Sequence, residues 1–324
     1  MRSPQGTVLV ITSAADLTAN LVIEALIERD VRVGRIDPAE IGDALSFGAY
    51  MGAGREKWTG RLRTPSRDIE LEDVRAVYYR RPTPFSARFA HLPVKEAEFA
   101  AVEARHGLGG LLDDLYGAAY VNHPAAINRA DFKPAQLRMA AQLGLAVPVT
   151  LITNDVAQAR KFAAEHGPIV YKSFRGVPRD PADRTAAIWT QRVTEQELDD
   201  SISVTAHLFQ KEVRKSADAR VTVIGRNVFA SRITAPDDTL DWRSGDRDQI
   251  GYDPVDVPAS IEHALRDYLD RFGLVFGCFD FVLEAVSDQW VFIECNPNGQ
   301  WAWLPDSGAM AHAFADVLVA GWWP

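Results

Sequence analysis

Residues 276–301 have the sequence FGCFDFVLEAVSDQWVFIECNPNGQW, in which acidic and amide side chains interrupt two apolar runs. Side chains alternate between the two faces of a β-strand, so Glu294 and Asn296 share one face. If the chain turns around Ser287, Asp280 lies directly opposite Glu294 in an antiparallel hairpin. Like charges that face each other in an apolar setting are unfavourable unless another group compensates them.

A divalent cation would compensate these carboxylates. Asp280, Glu294 and Asn296 offer only oxygen ligands, which suit Mg²⁺, and Mg²⁺ often takes one or two protein carboxylates together with substrate phosphates. The alternative is that the acids face solvent and protect an edge strand from further pairing. We favour Mg²⁺, because acids with only that role do not explain the Asn-Pro-Asn-Gly at 296–299.

A second predicted hairpin carries arginines in place of acids. Strands at 219–224 and 228–234 flank a short polar turn, and a turn centred on Arg226 would place Arg220 opposite Arg232. Two adjacent guanidinium groups favour an anion between them, and arginine is well shaped for phosphate oxygens. Alternatively, each arginine pairs with a local carboxylate or reaches solvent.

Two lysines extend this predicted anion site. Lys172 lies in an apolar strand at 169–174, where it either stretches to the strand end to reach water or binds an anion. Lys133 lies in the first turn of a helix that we expect Asp131 to cap, with Pro134 in the same turn. A cation there is unfavourable against the helix dipole unless an anion is near. Together these residues predict a polyphosphate site with Mg²⁺.

Strand and helix patterns alternate along the first third of the chain, with strands predicted at 7–12, 31–37, 74–79 and 118–122 and helices at 16–29 and 93–116. This order predicts a parallel sheet with helices on both faces. The turn at 13–16 has no glycine, so a dinucleotide-binding fingerprint is absent. Strands predominate after residue 206, with helices at 258–272 and 307–320.

The order of these parts resembles the ATP-grasp superfamily, and within it the graspetide synthetases, which are microviridin-type peptide macrocyclases. The segments that carry the resemblance are FQKEV (209–213), DARVTVIG (218–225), FGCFDFV (276–282), FIECNPNGQW (292–301), TVLVITSAADLTANLVIEAL (7–26) and VYYRRP (77–82). The resemblance implies an α/β (mixed α+β) ATP-grasp fold preceded by an N-terminal parallel-sheet pre-ATP-grasp domain. We expect this domain at 1–127, a central subdomain with a lid loop at 128–205, and a C-terminal subdomain with the Mg²⁺ site at 206–324.

The resemblance also assigns roles, with ATP and Mg²⁺ as cofactors. The lysines that reach the ATP phosphates are matched by Lys133 and Lys172. The hinge that holds adenine, largely through backbone groups, is matched by Gln210, Lys211, Glu212 and Val213. The basic pair beside the transferred phosphate is matched by Arg220 and Arg232. The Mg²⁺ ligands are matched by Asp280, Glu294 and Asn296. The chain departs from the family pattern at Lys211, where relatives usually have glutamate.

The implied reaction is the activation of a carboxylate as an acyl phosphate, with release of ADP, followed by attack of a hydroxyl or amine. The implied substrate is a ribosomal precursor peptide with a leader and a core, whose Asp or Glu side chains join Ser, Thr or Lys side chains in rings. One alternative is an ATP-grasp ligase that adds a free amino acid to a protein or small-molecule carboxylate. Another is a nucleotide-binding peptide adaptor without turnover, against which the full set of charged residues argues. No residue suggests itself as a general base.

Peptide contact is predicted at two places. Trp242 and Arg243 lie together in a charged loop, and an aromatic–arginine pair is typical of binding hot spots. Arg80 and Arg81 end a strand of the parallel sheet, where they either meet an acidic core peptide or cap a solvated edge. The apolar stripe of the helix at 258–272 is more simply explained by packing within the protein.

The composition is that of an ordinary globular protein, with 324 residues of which 47% are hydrophobic. A net charge of −9 argues against non-specific binding to nucleic acid or anionic membranes. No run approaches the roughly 20 apolar residues of a membrane span. Two cysteines, Cys278 and Cys295, are too few for a disulfide framework or a Cys-based zinc cluster. We therefore expect a cytoplasmic protein, for which similar enzymes also suggest a homodimer.

Overall fold

The computed structural model describes residues 6–54, 56–175, 188–236 and 239–321, with Arg247 described by its backbone only. The strands, numbered along the chain, are β1 (Thr7–Ile11), β2 (Arg32–Ile36), β3 (Ser46–Tyr50), β4 (Thr59–Arg63), β5 (Asp68–Glu70), β6 (Val74–Tyr79), β7 (Ala119–Val121), β8 (Thr150–Thr153), β9 (Ile169–Lys172), β10 (Gln191–Val193), β11 (His207–Lys211), β12 (Lys215–Ile224), β13 (Asn227–Thr234), β14 (Gly251–Pro254), β15 (Phe276–Glu284) and β16 (Trp290–Asn296). The helices are α1 (Leu17–Ile27), α2 (Phe85–Arg88), α3 (Val94–Ala104), α4 (Gly110–Asp113), α5 (Pro124–Ala130), α6 (Lys133–Gln142), α7 (Val156–His166), α8 (Ala259–Phe272) and α9 (Ser307–Ala320). The polar loop that we predict as the lid, at 175–184, lies outside the described residues from position 176 onward.

The first sheet is parallel and has the strand order β2-β1-β6-β7. β1 lies at its centre because all five of its residues are aliphatic or β-branched and buried. α1 begins after Asp16, whose carboxylate accepts hydrogen bonds from the backbone N–H groups of Thr18 and Ala19. α1 and α9 cover one face, and leucines in and around α4 cover the other. The predicted parallel sheet with helices on both faces is therefore confirmed.

A small antiparallel sheet of β3, β4 and β5 was not predicted from the hydrophobic pattern. Its strands are mostly polar and exposed, and the side chains that they bury are Leu62 and Ile69. Strands this short and polar give too weak an alternation to be recognised in the sequence.

The second sheet is antiparallel and has the strand order β10-β9-β11-β8. Its core joins Phe162 of α7 to Ile169 of β9 and Phe209 of β11. β11 begins at His207, beyond the expected boundary at 205, yet it pairs with β8 and β9 from the central segment. The division of the chain at 127 and 205 stays a prediction.

The third sheet is antiparallel and has the strand order β14-β13-β12-β15-β16. One face packs against α6 and α8, where Leu265, Leu269 and Phe272 are buried. The apolar stripe of α8 is therefore an internal packing surface, as predicted. Part of the opposite face, including Ile224 and Phe276, packs against α9 and thus joins the core of the N-terminal sheet.

Asn122, directly after β7, fastens the first sheet to the third. Its side-chain nitrogen donates to the carbonyl oxygens of Phe276 and Pro297, both at 2.8 Å. Its side-chain oxygen accepts from the backbone N–H groups of Val275 at 2.7 Å and Phe276 at 3.0 Å. A buried amide with this many partners fixes the segments that it touches. The loop after β16 is thereby held against the N-terminal sheet.

Both cysteines lie in the interior. Cys278 and Cys295 are free thiols and are buried in the core of the third sheet.

Among the described residues, no helix combines the length and the apolar character that a membrane span requires.

Candidate active site

A cavity of about 990 Å³ lies between the second and third sheets. Lys172 and Gln210 line it from the second sheet, and Asp280 and Glu294 line it from the third. The loop between β13 and β14 adds Trp242 to the wall. The structure thus brings most of the predicted site residues to one cavity.

Asp280 lies directly opposite Glu294 across β15 and β16, as the sequence predicted. The register slips by one residue immediately beyond this pair, so that Phe281 pairs with Phe292. Ile293 is the extra residue of a β-bulge. Between the turn and Phe281 the pairing is centred between Val286 and Ser287, half a residue from the predicted centre, and the slip of one residue restores the predicted pair. Asn296 pairs with Cys278, two residues further along the same face.

Asp280 is neutralised by an arginine from the neighbouring strand. Arg220 is its cross-strand partner and donates from Nε to Oδ1 at 2.8 Å and from Nη2 to Oδ2 at 2.9 Å. Nη1 of Arg220 also donates to the carbonyl of Gln300 at 3.2 Å. The guanidinium lies against the rings of Trp242 and Trp303, at 5.8 and 5.7 Å from their centroids. A buried, bidentate and stacked arginine of this kind is held rigidly.

Glu294 is neutralised by two cations. Its Oε2 accepts from Nζ of Lys133, and its Oε1 lies 3.3 Å from Nη1 of Arg243. Burial by itself raises the pKa of Glu294, but Lys133 and Arg243 outweigh burial and hold the pKa below its ordinary value. The carboxylate is therefore ionised at neutral pH.

Lys133 is the first residue of α6, which confirms its predicted place in a first helical turn. The residue that precedes the helix is Phe132, which provides no side-chain cap. Asp131 instead ends α5 and accepts an ion pair from Arg175 at 2.7 Å, so the predicted cap is wrong. Glu294 supplies the anion that a cation at this helix terminus requires.

The predicted pairing of Arg220 with Arg232 is wrong. β12 and β13 are joined by Gly225 and Arg226 alone, so Arg220 pairs with Ser231, and Arg232 pairs with Ala219. A shift of one residue turns a side chain to the other face of a sheet. Arg232 therefore lies on the face opposite Arg220, where its Nη2 donates to Oγ of Ser216 at 3.3 Å.

Lys172 ends β9 and points its charge into the same cavity. Burial, together with the neighbouring charges of Lys133 and Arg243, lowers the pKa of Lys172 to about 8, while Glu294 opposes the shift. The charged form of this buried lysine, which lies near other cations, would be stabilised by an additional anion.

The predicted adenine hinge crosses from β11 into the third sheet. Gln210 is buried, and its Nε2 donates to Oγ1 of Thr150 at 3.0 Å, whereas its Oε1 has no partner among the described residues. The backbone N–H of Lys211 donates to the carbonyl of Val149, just before β8, and that of Glu212 donates to the carbonyl of Pro168, just before β9, both at 2.9 Å. Within the described parts of the chain, the backbone N–H of Val213 donates to no other group. Oε1 of Gln210 and the N–H of Val213 are therefore left as an acceptor and a donor for a ligand.

The carboxylate of Glu212 has a protein partner. It accepts two hydrogen bonds from Arg192 of β10, both at 2.8 Å. A bidentate pair of this kind orients the carboxylate firmly.

The four residues predicted to contact peptide divide into two groups. Arg80 is buried, pairs with Asp16 at 2.8 Å, and donates to the carbonyl of Gly299 and to Oε1 of Gln300 at 3.1 and 2.7 Å. It therefore holds the N-terminal sheet to the loop after β16 and is out of reach of a peptide. Arg81, Trp242 and Arg243 all line the cavity.

The role of Asp241 in the site was not identified from the sequence, whereas Trp301 and Trp303 were expected either to wall the site or to pack in the core. The carboxylate of Asp241 accepts two side-chain hydrogen bonds from Arg243, both at 2.9 Å, and thereby orients the guanidinium group towards Glu294. Trp303 is partly exposed beside Arg220, whereas Trp301 is fully buried against Phe314. An acid two residues before an arginine, as in Asp241-Trp242-Arg243, could have indicated a local ion pair. The approach of Arg243 to Glu294 depends on the tertiary structure.

The donor set at the hairpin fits Mg²⁺. Asp280, Glu294 and Asn296 supply two carboxylates and one amide oxygen, and Oδ1 of Asn296 accepts a backbone hydrogen bond from Asn298 at 3.0 Å. The described residues contain no cluster of three or more His, Cys, Asp or Glu side chains that could hold a metal. An ion at this hairpin would need further oxygens from a ligand, which is the usual arrangement for Mg²⁺ with phosphates.

Comparisons with known proteins agree with this geometry. Residues 7–128 match the family model of the MvdD pre-ATP grasp domain. The chain has the ATP-grasp fold. It is similar to a RiPP-associated ATP-grasp ligase of Chryseobacterium gregarium, solved with ADP and a leader and core peptide, with a TM-score of 0.88, 27% identity and 97% of each chain covered.

Two further structures come from Microcystis aeruginosa. The macrocyclase MdnC, bound with precursor peptide MdnA, matches with a TM-score of 0.85, 27% identity, and coverage of 97% of this chain and 99% of MdnC. The macrocyclase MdnB matches with a TM-score of 0.78, 26% identity and the same coverage. No curated protein sequence matches the chain significantly. The resemblance to ATP-grasp ligases of ribosomal peptide maturation is confirmed.

Proposed function

We propose that this protein is an ATP-dependent ligase that activates Asp or Glu side chains of a ribosomal precursor peptide and joins them to nucleophilic side chains of the same peptide. One observation carries the proposal: a hairpin carboxylate pair faces a cation-lined cavity in a chain that is similar, over 97% of its length, to a ligase solved with ADP and a leader and core peptide.

ATP would occupy the cavity with adenine at the hinge. Oε1 of Gln210 and the N–H of Val213 supply the acceptor and donor that the edge of adenine requires. Lys133 and Lys172 lie near Glu294 and would meet the phosphates. Mg²⁺, when bound, would be held by Asp280, Glu294 and Asn296 and would draw negative charge from phosphate oxygens.

The cations of the site would exchange partners when a polyphosphate enters. In this structure Lys133 and Arg243 neutralise Glu294. A phosphate group carries more charge and can take over these cations, which frees the carboxylate for a metal. Arg220 keeps its bidentate bond to Asp280 and would present its remaining N–H groups to the acyl phosphate.

The reaction would proceed in two steps. A peptide carboxylate attacks the terminal phosphate of ATP and becomes an acyl phosphate, and ADP leaves. A Ser or Thr hydroxyl, or a Lys amine, then attacks the acyl carbon and releases phosphate, so that an ester or amide closes a ring. Arg81, Trp242 and Arg243 line the cavity and are the residues we propose for contact with the peptide.

Mass spectrometry tests the proposal. The protein is incubated with ATP, Mg²⁺ and a short peptide encoded beside its gene, and ADP release is measured in parallel. We expect the peptide to lose one water for each bond formed, in step with ADP. A peptide that instead gains the mass of an added free amino acid would replace the proposal with the amino-acid ligase. Nucleotide binding without any ADP release would support the adaptor.

A further inference from the structure

A hydroxyl group beside the predicted adenine hinge has no role assigned so far. Thr150 is the first residue of β8 and pairs directly with Gln210 of β11, so the two side chains lie on the same face of the second sheet. Gln210 lines the cavity, whereas Thr150 does not. Thr150 is thus next to the side chain that we place against adenine, but it is not part of the cavity wall.

The hydroxyl of Thr150 has a fixed direction. Oγ1 lies 2.8 Å from the carbonyl oxygen of Pro148, and a carbonyl only accepts, so the single hydroxyl proton points to Pro148. Among the described residues, no backbone N–H bonds to this carbonyl, so Thr150 has no backbone competitor for it. Oγ1 is then left as an acceptor, and Nε2 of Gln210 donates to it at 3.0 Å.

These two hydrogen bonds decide which end of the Gln210 amide is left for a ligand. If the amide were turned over, Oε1 would face the oxygen of Thr150, and two acceptors at that distance repel each other. In the observed orientation Oε1 is buried and has no partner among the described residues. A buried carbonyl oxygen without a donor is unfavourable, so a ligand that brings a donor is favoured at this position.

We propose that Thr150 is a positioning residue that makes the cavity selective for purines with an amino group at position 6. The inference rests on the proposed function and adds the origin of its base specificity. Adenine has this amino donor beside the acceptor N1, which match Oε1 of Gln210 and the N–H of Val213. Guanine and hypoxanthine have an oxygen at position 6 and a proton on N1, so both contacts would be mismatched.

The two contacts with the base depend on different parts of the chain. Val213 offers a backbone N–H, which a change of side chain at position 150 leaves in place. The neighbour of Gln210 on β9 is Val170, an apolar side chain that lines the cavity and can contact any purine. Discrimination at position 6 therefore depends on Gln210, and the orientation of Gln210 depends on Thr150.

Two nucleoside diphosphates isolate the contact at position 6. ADP and purine riboside 5′-diphosphate share N1, the sugar and both phosphates, but the second lacks the amino group. Neither supports the first step of the reaction, so binding is measured without turnover. The dissociation constants of both are determined by calorimetry on the full chain in the presence of Mg²⁺. Their ratio reports the amino contact and does not change with the fraction of protein that is folded.

We expect the wild-type protein to bind purine riboside 5′-diphosphate about tenfold more weakly than ADP. Thr150→Val keeps the shape of the side chain without its hydroxyl and should lower this ratio to about two, mainly because ADP binds more weakly. Thr150→Ser keeps the hydroxyl and should keep the wild-type ratio.

A matched control lies on the same strand. Oγ1 of Thr153 also makes a hydrogen bond, which it accepts from the backbone N–H of Asp155 at 2.9 Å, but Thr153 is outside the cavity and pairs with His207. Thr153→Val should leave both dissociation constants unchanged.

A double variant distinguishes positioning from a general structural effect. Gln210→Leu removes the acceptor and should bring the ratio to about one. Addition of Thr150→Val to this variant should change the ratio no further, because the hydroxyl acts through the amide.

Two outcomes would overturn the inference. A ratio that stays near the wild-type value in Thr150→Val would show that another group orients the amide. Equal affinity of the wild-type protein for both diphosphates would show that no amino contact exists, and this measurement needs no variant to fold. A wild-type protein that binds neither ADP nor ATP with Mg²⁺ would refute the proposed function itself, which is a separate result.

Discussion

At the scale of single residues, the candidate site is a set of carboxylates that are already matched with cations. Arg220 holds Asp280, and Lys133 and Arg243 hold Glu294. Breaking a buried pair by removing one partner leaves an uncompensated charge, which is costly. A polyphosphate that drew Lys133 and Arg243 away from Glu294 would leave that carboxylate in need of a cation, so we expect ATP and Mg²⁺ to bind more tightly together than either does alone.

Substitution of the hairpin acids tests the Mg²⁺ assignment. Glu294→Gln and Asp280→Asn should lower ADP formation by more than about 100-fold, since even groups that only orient metal ligands commonly contribute 10- to 100-fold. ADP release is measured across a Mg²⁺ titration. Glu284→Gln, on the same strand as Asp280 but outside the cavity, is the control. Normal turnover of either variant at limiting Mg²⁺ would contradict the assignment.

Lys172 should make nucleotide binding depend on pH. Its pKa of about 8 in the free protein means that the ammonium loses its charge as the pH rises through 8. Phosphates bind the charged form, so we expect nucleotide affinity to be constant below pH 7 and about tenfold weaker at pH 9. Calorimetric titration with a non-hydrolysable ATP analogue measures this. Lys172→Arg stays charged and should remove the dependence, and an unchanged pH profile in that variant would exclude Lys172 as its cause.

At the scale of secondary-structure elements, the length of one turn decides which arginine belongs to the site. The β12–β13 hairpin has a two-residue connection, Gly225-Arg226, and Gly225 has a φ of +56°. Two-residue connections whose first residue has a positive φ match the right-handed twist of the flanking strands, and glycine is common at that position. The choice of two residues instead of three moves Arg232 to the far face.

Paired substitutions on β12 and β13 test this difference. Arg220→Ala should destabilise the protein by about 3–5 kcal/mol, because it leaves Asp280 buried without its partner. Arg232→Ala should change the stability by less than about 1 kcal/mol, as expected for a partly exposed arginine, and should leave ADP formation near that of wild type. Urea unfolding and ADP release are measured on both. Equal losses of activity in the two variants would mean that Arg232 also serves the site.

At the scale of the whole molecule, the N-terminal sheet supports the hairpin of β15 and β16, where we propose the Mg²⁺ site. Arg80 joins Asp16 at the start of α1 to the loop Gly299–Gln300, and Thr18 also donates to Gln300, at 2.8 Å. The carbonyl of Gln300 in turn accepts from Arg220. A chain of hydrogen bonds thus runs from the first βα turn to the carboxylates, so the pre-ATP-grasp domain also orients the site.

Removal of this link should affect stability and turnover together. Arg80→Met should cost about 3–5 kcal/mol of unfolding free energy and slow ADP formation, since Asp16 loses its cation and the Gln300 loop loses its anchor. The double variant with Asp16→Asn should recover part of the stability. Arg75→Met is the control, because Arg75 is exposed on β6, the strand that precedes Arg80, and lies outside the cavity. If Arg80→Met kept full stability, the two sheets would be joined by other contacts.

The sequence alone determined the fold class of this protein and the presence of a hairpin with facing acids. Apolar strand and helix periods, together with the motif ending in Asn-Pro-Asn-Gly-Gln-Trp, predicted a parallel first sheet and the facing of Asp280 and Glu294. The strands depend on local alternation, which a sequence displays directly. The pairing of Asp280 with Glu294 also depends on the bulge at Ile293, which the sequence did not predict.

Only the tertiary structure decided which charged side chains pair with each other. The burial of Arg80, the aim of Arg243 at Glu294 and the separation of Arg232 from Arg220 all arise from contacts between segments far apart in the chain or from a single-residue change of register. A long cationic side chain can contact solvent, a carboxylate or a phosphate equally well. The packing around it selects the partner, because burial makes an unpaired charge too costly to keep.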